Sequence, residues 1–402
     1  MADQEFHKIE IDFLLGLPDD HFIRLPASPY PTTIPLLVYI HPVAERQFKT
    51  SLRQMLFVKI NSNCVKMETP GFMQAMVFEK AGQPLTLQRV PVPKPADGQV
   101  LLKILACGIC RTDLHIIDGE LAQPKLPLIP GHEIIAEVAG FGNGLNALPL
   151  KTIVGVPWLG YTCGHCRYCK QGKENLCDHA LFTGYTIDGG FAEYAIADAR
   201  YCFPLANKNY NAPSSAPLLC AGLIGYRSYR MIDPSAINIG IYGFGAAAHI
   251  IIQIARAQGK RIFAFTRTGD EAAQQFARQL GAAWAGNSTE ASPELLDAAM
   301  IFAPAGELIP MALGQVAKAG QVICGGIHMS EIPAFSYDLI WGERTIKSVA
   351  NLTRQDGLDF FEALKAIPVH TQTTLFRLSQ ANEAIEQLRK GQINGAAVLT
   401  MD

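Results

Sequence analysis

Nowhere among these 402 residues does an apolar run approach the ~20 needed to span a bilayer. The longest candidates, such as IPLLVYI at 34–40, are far too short. The amino-terminal MADQEFHKIEIDF has neither the basic n-region nor the apolar h-region of a secretory signal. Charge is sparse as well, with charged residues at 17% and a net charge of -2. That balance leaves no basic field for nucleic acid and no polybasic anchor for a membrane surface. No internal repeat is evident. The expectation is a cytoplasmic protein acting on a small molecule, with neither nucleic acid nor membrane as partner.

Hydrophobic residues reach 49%, with 35 glycines and 25 prolines, the composition of a loop-rich globular enzyme. The length predicts two or three domains of roughly 100–200 residues each. Residues 1–72 carry scattered prolines (PASPYPTTIP) and no sustained period. They are expected to be an extension, disordered or arising from a start assigned upstream of Met73. From residue 73 to about 205 the runs QVLLKILACGI, EIIAEVAGFG, TIVGVPWL and FAEYAIADARYCF read as short strands punctuated by Gly and Pro.

Near residue 237 the rhythm changes. INIGIYG reads as a strand, AAAHIIIQIARAQG as a helix ended by Gly259, RIFAFTR as a strand and DEAAQQFARQLG as a helix. AAMIFAP, ELIPMALGQVAKAG and QVICGGI continue as strand, helix and strand. This alternation predicts βαβ units on a parallel sheet. The tail from 351 to 402 predicts two helices, GLDFFEALKAI and SQANEAIEQLRKG, and two strands, TTLFRL and AAVLTM.

Within the βα region the turn IYGFGAAAHI is a G-x-G-x-x-A pattern at Gly243, Gly245 and Ala248. It follows a predicted strand and opens a predicted helix, the context in which a dinucleotide pyrophosphate sits on a helix N-terminus. An NAD site usually adds an acid about 20 residues on, at the end of the second strand. Here Thr266 and Arg267 stand in its place. A missing carboxylate and an available guanidinium favour NADP slightly over NAD, because Arg can fork onto a 2′-phosphate.

Four of the ten cysteines lie in CGHCRYCKQGKENLC, with spacing C-x2-C-x2-C-x7-C at Cys163, Cys166, Cys169 and Cys177. A reducing compartment disfavours disulfides, and an iron–sulfur cluster uses similar ligands. Zinc is the expected occupant, and four thiolates leave it no open position, so the site is structural. A catalytic zinc would need three ligands and an open place. The candidates are Cys107, Cys110, Thr112, Asp113 and His115 in ACGICRTDLH, His132 and Glu133 in PGHE, and Cys220 in PLLCAGLIGYRS. Spacing alone does not choose among them.

GICRTDLH, GHE, the four-cysteine lobe, LLCAGLIGYRS and GFGAAA occur in an order that resembles the zinc-dependent alcohol dehydrogenases of the medium-chain dehydrogenase/reductase superfamily. The likeness runs from about residue 73 to the C-terminus and omits 1–72. It implies a GroES-like β-rich catalytic domain, residues 73–224 and 351–402, interrupted by a Rossmann cofactor domain, 225–350. It implies Cys110, His132 and Cys220 as ligands of a catalytic zinc, with Cys107 as packing. Glu133 matches a carboxylate that approaches the metal, and Asp113 an acid that orients the ligand His. Thr112 matches the hydroxyl that takes the substrate proton, and His115 the relay toward solvent. Arg111 and Arg354 match positions near the coenzyme phosphates, and Trp158 a pocket wall that suits small primary alcohols.

Two zinc ions per subunit, NAD(P) and a homo-oligomer, dimer or tetramer, complete what the resemblance implies. A polyol reductase would keep both metal sites, whereas the quinone-reductase branch usually lacks them. A zinc-stabilised binding protein without catalysis would show erosion of the separated ligands, yet Cys110, Thr112, His132 and Cys220 are all present.

Overall fold

The computed structural model describes residues 69–143, 148–205, 211–327, 329–393 and 395–401. The expected extension lies, through residue 68, outside the described residues. The β-rich part opens with an antiparallel pair, β1 (Phe72–Val77) and β2 (Thr86–Pro91). β3 (Gln99–Ile109) comes next, then α1 (Arg111–Ile117), β4 (Glu133–Phe141), β5 (Ile153–Val156) and β6 (Leu159–Tyr161). A short α2 (Arg167–Lys170) sits in the cysteine lobe, followed by β7 (Leu181–Phe182), β8 (Tyr194–Asp198) and β9 (Phe203–Pro204). α3 (Ala212–Ser215) and α4 (Ala221–Arg230) carry the chain onward. β3 is buried along most of its length because it is flanked on both sides, pairing antiparallel with β4 and β8. α1 departs from the expectation of a wholly β region.

The second sheet is built by β10 (Asn238–Tyr242), α5 (Ala246–Ala257), β11 (Arg261–Thr266), α6 (Glu271–Gln279) and β12 (Trp284–Asn287). It continues through β13 (Leu296–Ile301), α7 (Leu308–Gln315), β14 (Val316–Cys324) and β15 (Thr345–Ser348). Its order is β12-β11-β10-β13-β14-β15, with every pairing parallel. The order reverses between β10 and β13, and beyond their carboxyl ends such sheets open a ligand crevice. The helix expected over 307–320 ends at Gln315, because Val316 enters the sheet opposite Leu296. Ala319 turns the chain at φ 64° before Gln321 rejoins opposite Ala298.

α8 (Arg354–Ala366), β16 (Thr373–Arg377), α9 (Ala381–Arg389) and β17 (Ala396–Thr400) return the chain to the first sheet. β17 pairs antiparallel with β3, Leu399 opposite Cys107. A β-rich sheet interrupted by a parallel doubly wound one is the fold class the sequence predicts. Among the described residues no helix is long and apolar enough to cross a membrane.

Candidate active site and metal centres

Cys110 follows the last residue of β3 and caps α1. Its sulfur accepts from the Thr112 N–H at 3.3 Å, and its own N–H donates to Asp113 Oδ2 at 2.8 Å. β4 runs antiparallel to β3 with Gly108 opposite Glu133, so His132 and Glu133 arrive beside Cys110. Cys110 Sγ lies 3.1 Å from His132 Nε2 and 3.9 Å from the sulfur of Cys220, the residue that begins α4. One ligand atom from each of Cys110, His132, Glu133 and Cys220 lies within 4.8 Å of all the others. Only a glycine at 108 admits this arrangement, since a Cβ there would stand 1.9 Å from Glu133 Oε2. Cys107, the other cysteine of ACGIC, is buried outside the cluster. A Cβ at Gly131 or Gly190 would come within 2.8 or 2.9 Å of its sulfur, so its role is packing.

The electrostatics fit a bound cation. Burial drives the carboxyls of Asp113 and Glu133 above the ordinary carboxylate range. Burial pulls the His132 imidazole down, but the Cys110 and Asp113 charges outweigh it and leave it well above its usual value. A hydrogen bond from Cys220 holds Cys110 well below an ordinary thiol, and the same bond raises Cys220. Two half-buried sulfurs thus lie beside two buried carboxyls and a buried imidazole, and Asp113 Oδ1, His132 Nδ1 and Glu133 Oε2 have no hydrogen-bond partner. His132 Nδ1 and Asp113 Oδ1 stand 3.4 Å apart, the direction in which a ligand imidazole is oriented. A bound divalent cation would favour the ionised forms of these sulfurs and carboxyls and the neutral imidazole.

The lobe cysteines also converge, their four sulfurs within 4.8 Å of one another. Cys163 Sγ lies 3.5 Å from Cys177 and 4.0 Å from Cys169. These separations far exceed a disulfide bond of about 2.05 Å. They match the edge of about 3.8 Å of a tetrahedron with zinc–sulfur bonds of about 2.3 Å. The N–H groups of Cys166, Cys169 and His179 point at sulfurs 3.4, 3.5 and 3.4 Å away. Backbone hydrogen bonding, His165 first, lowers Cys163 to about 6, while burial raises Cys169 to about 11.

Thr112 and His115 are half-buried and three residues apart on α1, so they share a face. His115 Nδ1 contacts Glu120. Trp158 lies edge-on to His132, ring centroids 5.0 Å apart, and stacks on Phe182 and Tyr185 at 5.3 and 5.6 Å. Phe182 and Tyr185 escaped sequence reasoning because nothing local links them to Trp158.

Gly243 takes φ 87° with Ala303 N where a Cβ would come within 2.8 Å. Gly245 is the N-cap of α5, where a Cβ would meet nothing within 4 Å, and Ala248 is buried. Thr266 is buried, donating to Gly286 O at 3.3 Å and accepting from Gln274 at 3.1 Å. Arg267 is 91% exposed, with Asp270 at 3.6 Å. Arg111 is exposed at the first turn of α1. The guanidinium of Arg354, expected beside a coenzyme phosphate, meets Glu174 of the cysteine lobe at 2.7 Å and remains 40% exposed.

A family model for the alcohol dehydrogenase GroES-like domain matches residues 96–207. A probable alcohol dehydrogenase, AdhA, of Mycobacterium tuberculosis is 41% identical over 323 residues, 79% of this chain and 92% of that one. The chain belongs to the medium-chain alcohol dehydrogenases. An alcohol dehydrogenase of Geobacillus stearothermophilus is 34% identical over 346 residues, 82% of this chain and 100% of its own. Among solved structures, acetophenone reductase from Geotrichum candidum in complex with NAD aligns with TM-score 0.73 and 30% identity, covering 83% of this chain and 98% of that one. The cobalt- and zinc-bound alcohol dehydrogenase from Pyrobaculum aerophilum, 21% identical, shares the fold at TM-score 0.73, over 82% and 99% of the two chains. As a member of this alcohol dehydrogenase family the protein is an oxidoreductase, and small alcohols and aldehydes are its class of substrate.

Proposed function

We propose that this oxidoreductase is a zinc-dependent alcohol dehydrogenase that interconverts a small primary alcohol and its aldehyde, with a slight preference for NADP over NAD. The observation that carries the reading is the meeting of Cys110, His132, Cys220 and Glu133, drawn from three separate stretches of sequence, beside Trp158. When bound, zinc supplies the Lewis acidity that eases deprotonation of the alcohol, and the nicotinamide exchanges the hydride. Cys110, His132 and Cys220 would hold the metal, Glu133 would approach it as the fourth ligand exchanges, and Asp113 would fix the His132 ring. Thr112 accepts the hydroxyl proton of the substrate, and His115 passes it toward solvent. Trp158 narrows the pocket and excludes bulky alcohols.

Cys163, Cys166, Cys169 and Cys177 would hold a second, structural zinc. Gly243, Gly245 and Ala248 would admit the coenzyme pyrophosphate to the start of α5, with Arg111 and Arg354 near its phosphates and Arg267 beside a 2′-phosphate. Catalytic chemistry is assigned to 73–224 with 351–402, and coenzyme binding to 225–350. A cytoplasmic homo-oligomer fits a lobe that needs reduced thiols and a parallel sheet whose last strand, β15, is exposed at the edge.

Zinc stoichiometry tests the reading. The parent protein should carry two zinc ions per subunit. Cys220→Ala should retain one and lose turnover, and Cys166→Ala should lose stability. A parent with a single zinc, or a Cys220→Ala protein that still turns over, overturns it.

A further inference from the structure

Glu174 is an acid in the middle of the cysteine lobe, and it is only 6% exposed. A carboxylate so buried must be paired. Its partner lies far along the chain: Glu174 Oε1 accepts from the Arg354 N–H at 2.7 Å and from Arg354 Nε at 2.9 Å, and Oε2 meets Nη2 at 2.7 Å. The next residue, Asn175, donates to Ala350 O at 2.7 Å. The lobe thus grips the segment that starts α8 by a charge-assisted fork and a second hydrogen bond.

The grip continues. Thr353 caps α8, and its N–H and hydroxyl donate to Asp356 Oδ2 at 2.8 and 2.6 Å. The same carboxylate oxygen pairs with Arg227 of α4. α4 is the helix that Cys220 begins, and it packs on α8 through Gly222, whose missing Cβ would meet Phe360 at 2.8 Å. Asn175 Oδ1, Asn351 Nδ2 and Arg227 Nε lie along this line, buried and without partners.

We propose that the Glu174–Arg354 pair, continued through Asp356 to Arg227, is a positioning link by which the ordered cysteine lobe sets the place of Cys220 in the catalytic cluster. The inference rests on the two-centre reading above. Neither Glu174 nor Arg227 touches substrate; each acts through α4 on the metal-holding sulfur.

The test follows zinc release from the purified, zinc-loaded protein into a chromogenic chelator, with the catalytic phase identified as the one absent from Cys220→Ala. Glu174→Gln and Arg227→Met should each speed that phase by about 10-fold, the scale of outer-sphere effects on metal affinity. In Arg227→Met the lobe phase should not change, because the substitution lies at the far end of the link. The double variant should match the faster single, since the two residues act in series. A catalytic phase unchanged in Arg227→Met, lobe and catalytic phases sped equally, or additive effects in the double variant would overturn the link while two zinc ions still uphold the two-centre reading. A parent that releases only one zinc overturns that reading and the link with it. Should Glu174→Gln fail to fold, Arg227→Met decides alone.

Discussion

Tyr242 ends β10 with its hydroxyl buried and unpartnered, its ring stacked on Phe265 at 4.2 Å. An unmet hydroxyl costs about 1–3 kcal/mol, and a phenyl ring of the same shape would not carry that cost. Tyr242→Phe should therefore raise the thermal midpoint, by about 2 °C per kcal/mol for a chain of this size. A lower midpoint in thermal denaturation would mean the hydroxyl has a partner.

His249, one residue beyond Ala248 in α5, poses the complementary problem. Burial lowers its pKa, so the fold prefers the neutral ring while the unfolded chain takes up the proton more readily. Its contribution to stability is whole above the unfolded value of about 6.5 and is lost as pH falls through the lower folded value. Denaturant titrations of the parent and His249→Leu should show the parent losing stability more steeply as pH drops below about 6.5. Equal slopes would exclude His249 as a source of acid sensitivity.

At the scale of elements, legibility followed burial and local period. QVLLKILACGI was readable end to end as β3 because a central strand is apolar along most of its length, here interrupted only by Gln99 and the exposed Lys103. α1 was not, since its seven residues are too few for a helical period and its cap is a cysteine rather than Ser, Thr, Asp or Asn. β15 was missed because all four of its residues are exposed and no alternation marks it. The metal lobe could be read from spacing, whereas the catalytic cluster could not. Cys110 and His132 meet through strand register, and Cys220 through the docking of α4, neither of which the intervening sequence encodes locally. The end of β11 gives a further test. Thr266 is committed to the interior and Arg267 is exposed, held only by its pair with Asp270, so Arg267→Asp should shift the ratio of kcat/KM for NADP and NAD toward NAD by about 10-fold, the loss of one charge-assisted contact. An unchanged ratio would remove Arg267 from coenzyme selection.

For the whole molecule, the parallel sheet ends, among the described residues, at β15, and Ile346 on that strand and Trp341 before it are exposed, the latter at 71%. An unguarded edge beside apolar side chains suits a second copy of the same chain. Trp341→Glu with Ile346→Lys should reduce the mass measured by light scattering to that of a monomer. If the mass is unchanged, the edge plays no part in assembly.

The closing of the first sheet by β17 has a consequence for biosynthesis. β3 delivers Cys110 early in the chain, yet its neighbour on one side, paired through Ala397–Ile109 to Thr400–Ala106, is β17, translated after the whole parallel sheet. The parallel sheet between them can fold while synthesis continues, but β3 must wait on the ribosome for its final partner. The sheet that carries Cys110 is thereby completed only after β17 has emerged, so a nascent chain shorter than that presents β3 with part of one flank open.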